Sequence, residues 1–117
     1  MDMFYREACH IQELEHALTI TATIVSRPTP DRAVMDAGRK AIDVGIYQPR
    51  IISHRGVSVQ WLSAEHGILK IEPNAEPLQV GELVELVPGY ADLTNNLHQQ
   101  FYAFRGDRLE ETIRIEH

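Results

Sequence analysis

A phenol, a carboxylate and an imidazole crowd into residues 88–98, where Pro88-Gly89-Tyr90-Ala91-Asp92-Leu93-Thr94-Asn95-Asn96-Leu97-His98 separates two apolar runs. A phenol or carboxylate within hydrogen-bond reach of a substrate hydroxyl can hold it or exchange a proton with it, and carboxylates and imidazoles are also cation donors. Glu82-Leu83-Val84-Glu85-Leu86-Val87 precedes the segment and Phe101-Tyr102-Ala103-Phe104 follows it, so Pro88-Gly89 reads as a strand running into a turn. Loops held by rigid strands are where functional sites concentrate. A further histidine, His66, lies in Ala64-Glu65-His66-Gly67, a turn that could present its ring to an adjoining site.

The pattern around these residues is that of a β-protein. Leu18, Ile20, Ala22 and Ile24 alternate with Thr19, Thr21, Thr23 and Val25, and a period of two rich in β-branched residues predicts a strand. Pro28-Thr29-Pro30-Asp31 interrupts it, and a short strand follows from Arg32 to Asp36, with Gly38 allowing a sharp exit and Asp36 and Lys40 placed to pair. Val57, Val59 and Trp61 alternate with Ser58, Gln60 and Leu62, and residues 68–72 return after the Glu65-His66-Gly67 turn. Residues 101–105 and 109–115 form a hairpin around Gly106-Asp107, which accounts for Arg105-Gly106-Asp107 without any adhesion role. Burying one face of each strand assigns Leu18, Ile20, Ile24, Val57, Val59, Trp61, Ile113 and Ile115 to one β-core. Phe4, Ala8, Ile11 and Leu18 fall near one helical face, so residues 1–16 are expected to form an arm or short helix. The fold class expected is all-β, a small barrel or sandwich with a few short helical turns.

A chain of 117 residues suffices for one domain and is too short for two ordinary ones. A net charge of -6 argues against a nucleic-acid or anionic membrane partner, since both need a basic face. Cys9 is alone, so neither an intramolecular disulfide nor a multi-cysteine zinc site forms, which fits a reducing compartment. Met1-Asp2-Met3-Phe4 has no basic stretch leading into an apolar one, and the expected location is cytoplasmic.

Several motifs recur in a fixed order: Ala17-Leu18 through Val25-Ser26-Arg27-Pro28, then Arg32-Ala33-Val34-Met35-Asp36-Ala37-Gly38 with Lys40-Ala41, Leu62-Ser63-Ala64-Glu65-His66-Gly67, Val80-Gly81-Glu82, and Pro88-Gly89 with Asp92, Thr94 and Asn96-Leu97-His98. In this order they resemble the C-terminal domain of the D-threonine aldolase and D-serine dehydratase family. These are metal-activated pyridoxal-phosphate enzymes with an alanine-racemase-like fold. The likeness runs from about residue 17 to about residue 115.

The resemblance implies a lyase of amino acid metabolism that acts on D-3-hydroxy amino acids by retro-aldol cleavage or β-elimination. It implies that pyridoxal phosphate is bound mainly in an N-terminal α/β barrel carrying the Schiff-base lysine, and no such barrel fits in this sequence. Residues 1–117 are therefore expected to be a single β-rich C-terminal domain of a larger enzyme, inert alone. The complete enzyme is expected to take a D-amino acid substrate and to be a homodimer.

The resemblance further implies a divalent metal such as zinc or manganese, held in the family by His-x-Asp or His-x-Cys. Here the matching tripeptide is Tyr90-Ala91-Asp92, which keeps the carboxylate and replaces imidazole by a phenol, a poor ligand while neutral. Three readings of Tyr90 and Asp92 stay open. Asp92 binds a metal with help from His66 or His98; or Tyr90 and Asp92 contact substrate directly; or both are structural, with Asp92 capping a turn over residues 93–100. By resemblance, Tyr90 and His66 are the candidate catalytic residues, and Asp92 and His98 the candidate metal ligands. The rival from another class is a non-catalytic β-domain for ligand binding or protein interaction, which the phenol at Tyr90 keeps open.

Overall fold

The computed structural model describes residues 1–117. Its strands in chain order are β1 (Ile20–Thr29), β2 (Arg32–Met35), β3 (Arg50–Ile51), β4 (Val57–Leu62), β5 (Gly67–Ile71), β6 (Leu83–Val87), β7 (Gln100–Arg105) and β8 (Arg108–Arg114), with one short helix, α1 (Ala91–Asn95), between β6 and β7. The alternation read over residues 18–25 becomes β1, whose Ala22 and Ile24 turn inward. The first part of β1 pairs with β6, Ile20 opposite Leu86 and Ala22 opposite Val84, while its later part, from Ile24 opposite Met35, pairs with β2 across a register shift between Ile24 and Ser26. One long bent strand thus serves two ladders, as a bulge allows.

All neighbours in the six-stranded sheet are antiparallel, in the order β3-β6-β1-β2-β5-β4. Its two edge strands, β3 and β4, come back against each other, and the sheet nearly closes into a barrel. Ile24, Ala33, Met35, Leu69, Val84 and Leu86 fill the interior, joined by Ile42 and Leu78 from connecting segments. Burying such side chains is the main stabilising contribution in a domain of this size. No helix is long and apolar enough to cross a membrane.

The expected core is corrected at two places. Trp61 is 56% exposed because β4 carries a bulge: Val59 faces Leu69 but Trp61 faces Ile68, so Gln60 is the extra residue and the inward parity passes to Leu62. Ile113 is 43% exposed, because β7 and β8 form a separate two-stranded ribbon instead of joining the barrel. Ile24 and Val57 are buried as expected, and Leu18, Ile20, Val59 and Ile115 are half-buried. The hairpin turns where expected, with Gly106 at φ 59°.

Of the helical pattern over residues 4–18, only a five-residue π-helical turn, Phe4–Ala8, is helical. It buries none of its own residues; Asp2 and Met3, just before it, are buried instead. Asp36 and Lys40 do not pair. Asp36 Oδ1 accepts the Thr23 N–H at 2.7 Å, and Lys40 Nζ pairs with Glu65.

Candidate active site

β6 alternates exposed Leu83 and Glu85 with buried Val84 and Leu86, then runs through buried Val87, Pro88 and Gly89 before the chain turns. At Gly89 it passes directly under residues 47 and 48: a Cβ there would lie 1.8 Å from the Tyr47 carbonyl oxygen. Glycine is needed for that close approach. Tyr90 comes next with extended backbone, φ -139° and ψ 118°, and is the N-cap residue of α1.

The Tyr90 side chain does not cap the helix. Its hydroxyl donates to Asp92 Oδ2 at 3.0 Å. The Ala91 N–H at the start of α1 is accepted at 2.7 Å by Oδ2 of Asp2 rather than by Asp92. The Phe4 ring meets Tyr90 edge to face at 5.5 Å between centroids, and Tyr5 lies tilted at 6.4 Å. Edge-on contacts of this kind orient a ring as well as burying it.

The Asp92 carboxylate, first by its hydrogen bond and then by its charge, holds the Tyr90 phenol above its ordinary pKa, with burial, Tyr5 and Asp2 adding in the same direction. Because the folded value is raised, the pair's contribution is complete below the ordinary tyrosine value of about 10 and is lost as pH rises through the folded one. Tyr90 is thus expected to lose its proton at higher pH than an ordinary tyrosine. A carbon-13 titration of its ring should show this midpoint falling in Asp92→Asn; an unchanged midpoint would mean that Asp92 does not hold the phenol.

His98 is half-buried and its Nε2 lies 2.8 Å from the Ala41 carbonyl oxygen, so that nitrogen is turned to backbone. Buried Thr94 accepts the Asp43 N–H on Oγ1 at 3.2 Å. The same connecting segment reaches the His66 turn at its other end, where Arg39 N–H donates to Ser63 O at 2.8 Å and Lys40 N–H to Ala64 O at 3.0 Å. Gly38 packs so closely there that a Cβ would fall 2.6 Å from the His66 nitrogen. The His66 residue is exposed, and no hydrogen bond joins its ring to Tyr90, Asp92 or His98. Tyr90 and Asp92 are therefore in direct contact, while His98 meets residues 38–43 at Ala41 and the His66 turn meets them at Gly38, Arg39 and Lys40.

These residues do not by themselves complete a metal centre. No group of three or more His, Cys, Asp or Glu side chains is placed to hold an ion, and the residue bonded to Asp92 is a phenol. Pyridoxal phosphate does not fit the lysines present either. Lys40 and Lys70 are exposed, and their ammonium groups are held above the ordinary value by Glu65 and Glu72, opposite to what a nucleophilic amine requires.

Fold and site together define a small antiparallel β-barrel domain with a phenol–carboxylate pair where one strand exits. Residues 17–104 match the family model described as "Putative serine dehydratase domain", and the chain belongs to that family. It is 34% identical over 101 residues to a D-threonine aldolase of Arthrobacter sp, covering 86% of this chain and 27% of that protein. It is 35% identical over 98 residues to a 3-hydroxy-D-aspartate aldolase of Paracoccus denitrificans, covering 84% and 25%. The chain thus spans about a quarter of the length of these curated relatives. Among solved structures, a D-threonine aldolase from Filomicrobium marinum superposes on 97% of this chain and 32% of its own, with a TM-score of 0.87 and 30% identity. D-threo-3-hydroxyaspartate dehydratase from Delftia sp. HT23, at 21% identity and a TM-score of 0.65 over 85% of this chain and 32% of its own, shares the fold.

One contributor to the site, Asp2, escaped the sequence reading, and Thr94 entered it only as part of the motif around Asp92. Their contacts with Ala91 and Asp43 are far apart in sequence and leave no local signal, although Asp2 also accepts the nearby Tyr5 N–H.

Proposed function

We propose that this chain is the C-terminal β-domain of a pyridoxal-phosphate-dependent lyase acting on D-3-hydroxy amino acids, by retro-aldol cleavage or by β-elimination. The observation that carries this reading is the Tyr90–Asp92 hydrogen bond at the exit of β6, in a chain a third identical to D-threonine aldolase over most of its length. Both reactions require the substrate's β-hydroxyl to be held and its proton managed. In retro-aldol cleavage the carboxylate can accept that proton as the Cα–Cβ bond breaks, and in β-elimination the phenol, turned from Asp92 to the substrate oxygen, can donate the proton with which the hydroxyl leaves as water. Asp92 and Tyr90 take these two roles, with His66 and His98 in support.

Pyridoxal phosphate, bound by the remainder of the enzyme, supplies the electron sink. A divalent ion such as zinc or manganese would need donors beyond this chain to join Asp92. The complete enzyme is a cytoplasmic homodimer that takes a D-amino acid substrate.

Asp92→Ala in the complete enzyme is expected to lower turnover of D-threonine or D-serine by at least about a hundredfold while leaving the cofactor absorption unchanged. Tyr90→His should make activity more dependent on divalent metal if Asp92 is a ligand. Unaltered turnover in Asp92→Ala would overturn the assignment.

A further inference from the structure

We propose that Asp2 is the positioning residue of the Tyr90–Asp92 pair, joining the first residues of the chain to the exit of β6 so that the phenol stays against its carboxylate. Asp2 is the one buried charged residue in the chain, 1% exposed. A carboxylate out of water has to be hydrogen-bonded, and both its oxygens are. Oδ1 accepts the Tyr5 N–H at 3.0 Å and Oδ2 the Ala91 N–H at 2.7 Å. These donors belong to two different helical turns, Phe4–Ala8 and Ala91–Asn95, so one side chain ties both together. Hydrogen bonds to an ionised acceptor are the stronger kind.

The backbone on either side closes the clamp. Met3 N–H donates to Pro88 O at 3.1 Å and Phe4 N–H to Gly89 O at 2.9 Å. Residues 88, 89 and 91 are thus each bonded to residues 2–4, with Tyr90 between them. Phe4 and Tyr5 then border the Tyr90 ring. The barrel's own ladders stop at Val87 on β6 and do not reach Tyr90. Holding a reacting group within a fraction of an ångström requires such support around it.

The functional half of this inference rests on Tyr90 and Asp92 being the pair that holds substrate; the structural half does not, and is measured in the chain itself. In Asp2→Ala, amide hydrogen exchange is expected to show protection at Tyr5 and Ala91 falling about tenfold or more, and the ring-to-ring nuclear Overhauser effects between Phe4 and Tyr90 should disappear. Protection at Ile24 and Ile71, which bond within the barrel, should stay unchanged. Asp2→Asn keeps one acceptor oxygen and should restore protection at one of the two amides. Val84→Ala, a truncation in the barrel core, should lower protection throughout yet leave the Tyr90 ring against Phe4.

In the complete enzyme Asp2→Ala should reduce kcat about tenfold without altering the cofactor spectrum, with partial recovery in Asp2→Asn. Unchanged Ala91 exchange and an unmoved Tyr90 ring in Asp2→Ala would overturn the proposal. Equal loss of protection at Ile24 and Ile71 would overturn it as well, by making Asp2 a support of the whole fold. Should Asp92→Ala retain full turnover, the lyase assignment of the pair fails, and the exchange rates still decide whether Asp2 positions Tyr90.

Discussion

Replacing Gly89 with alanine is expected to destabilise the domain by about 3 kcal/mol and to displace Tyr90 from Asp92. The added methyl would meet the Tyr47 carbonyl oxygen at 1.8 Å and the Tyr47 carbonyl carbon at 2.5 Å, and both belong to backbone. A flexible side-chain end could swing aside, whereas two crossing backbones must separate. Residues 88 and 89 carry the hydrogen bonds from Met3 and Phe4, so separation there would loosen the N-terminal clamp as well. Gly81→Ala is the matched control: its φ of 92° disfavours alanine, but no atom lies within 4 Å of the new methyl. A cost of about 1 kcal/mol is expected there. Urea unfolding with an unchanged slope would measure both. Similar midpoints for the two variants would show that the Gly89 crossing relaxes at little cost.

Leu86→Ala should cost about 2–5 kcal/mol, the range for deleting a fully buried leucine whose surroundings relax only partly. Leu86 is completely buried in β6 and stands opposite Ile20 on β1 and Ile51 on β3, so the loss is felt by three strands at once. Against a net stability of about 5–15 kcal/mol for a single domain, this is a large fraction. The truncation leaves the backbone path at Gly89 intact, which separates the two variants. Calorimetry or urea unfolding should show Leu86→Ala destabilised within that range, while the Tyr90 ring stays packed on Phe4, unlike in Gly89→Ala. A cost below about 1 kcal/mol would mean that Leu86 is not a central barrel residue.

The sequence by itself determined the local part of this structure. The two-residue period of 18–25 and that of 57–62 as far as Val59, the Gly and Pro punctuation at 30, 38, 67 and 88–89, and the Gly106-Asp107 turn each depend on neighbours a few positions away, and β1, β2, β5, β6 and the β7–β8 hairpin form accordingly. The Pro88-Gly89 exit also marked Tyr90 and Asp92 as the residues to watch, because a strand ending at a sharp turn must present the side chains just beyond it. Tertiary structure alone decided the rest. The bulge at Gln60 reversed the parity of β4 and put Trp61 outside, since pairing with β5 set the register. β3 is two residues long and exists only because β6 offers it a ladder. His98 turned its half-buried ring to Ala41, and Asp2 reached Ala91 across 89 positions of chain, because burial in the folded state left the Asp2 carboxyl group no water to bond.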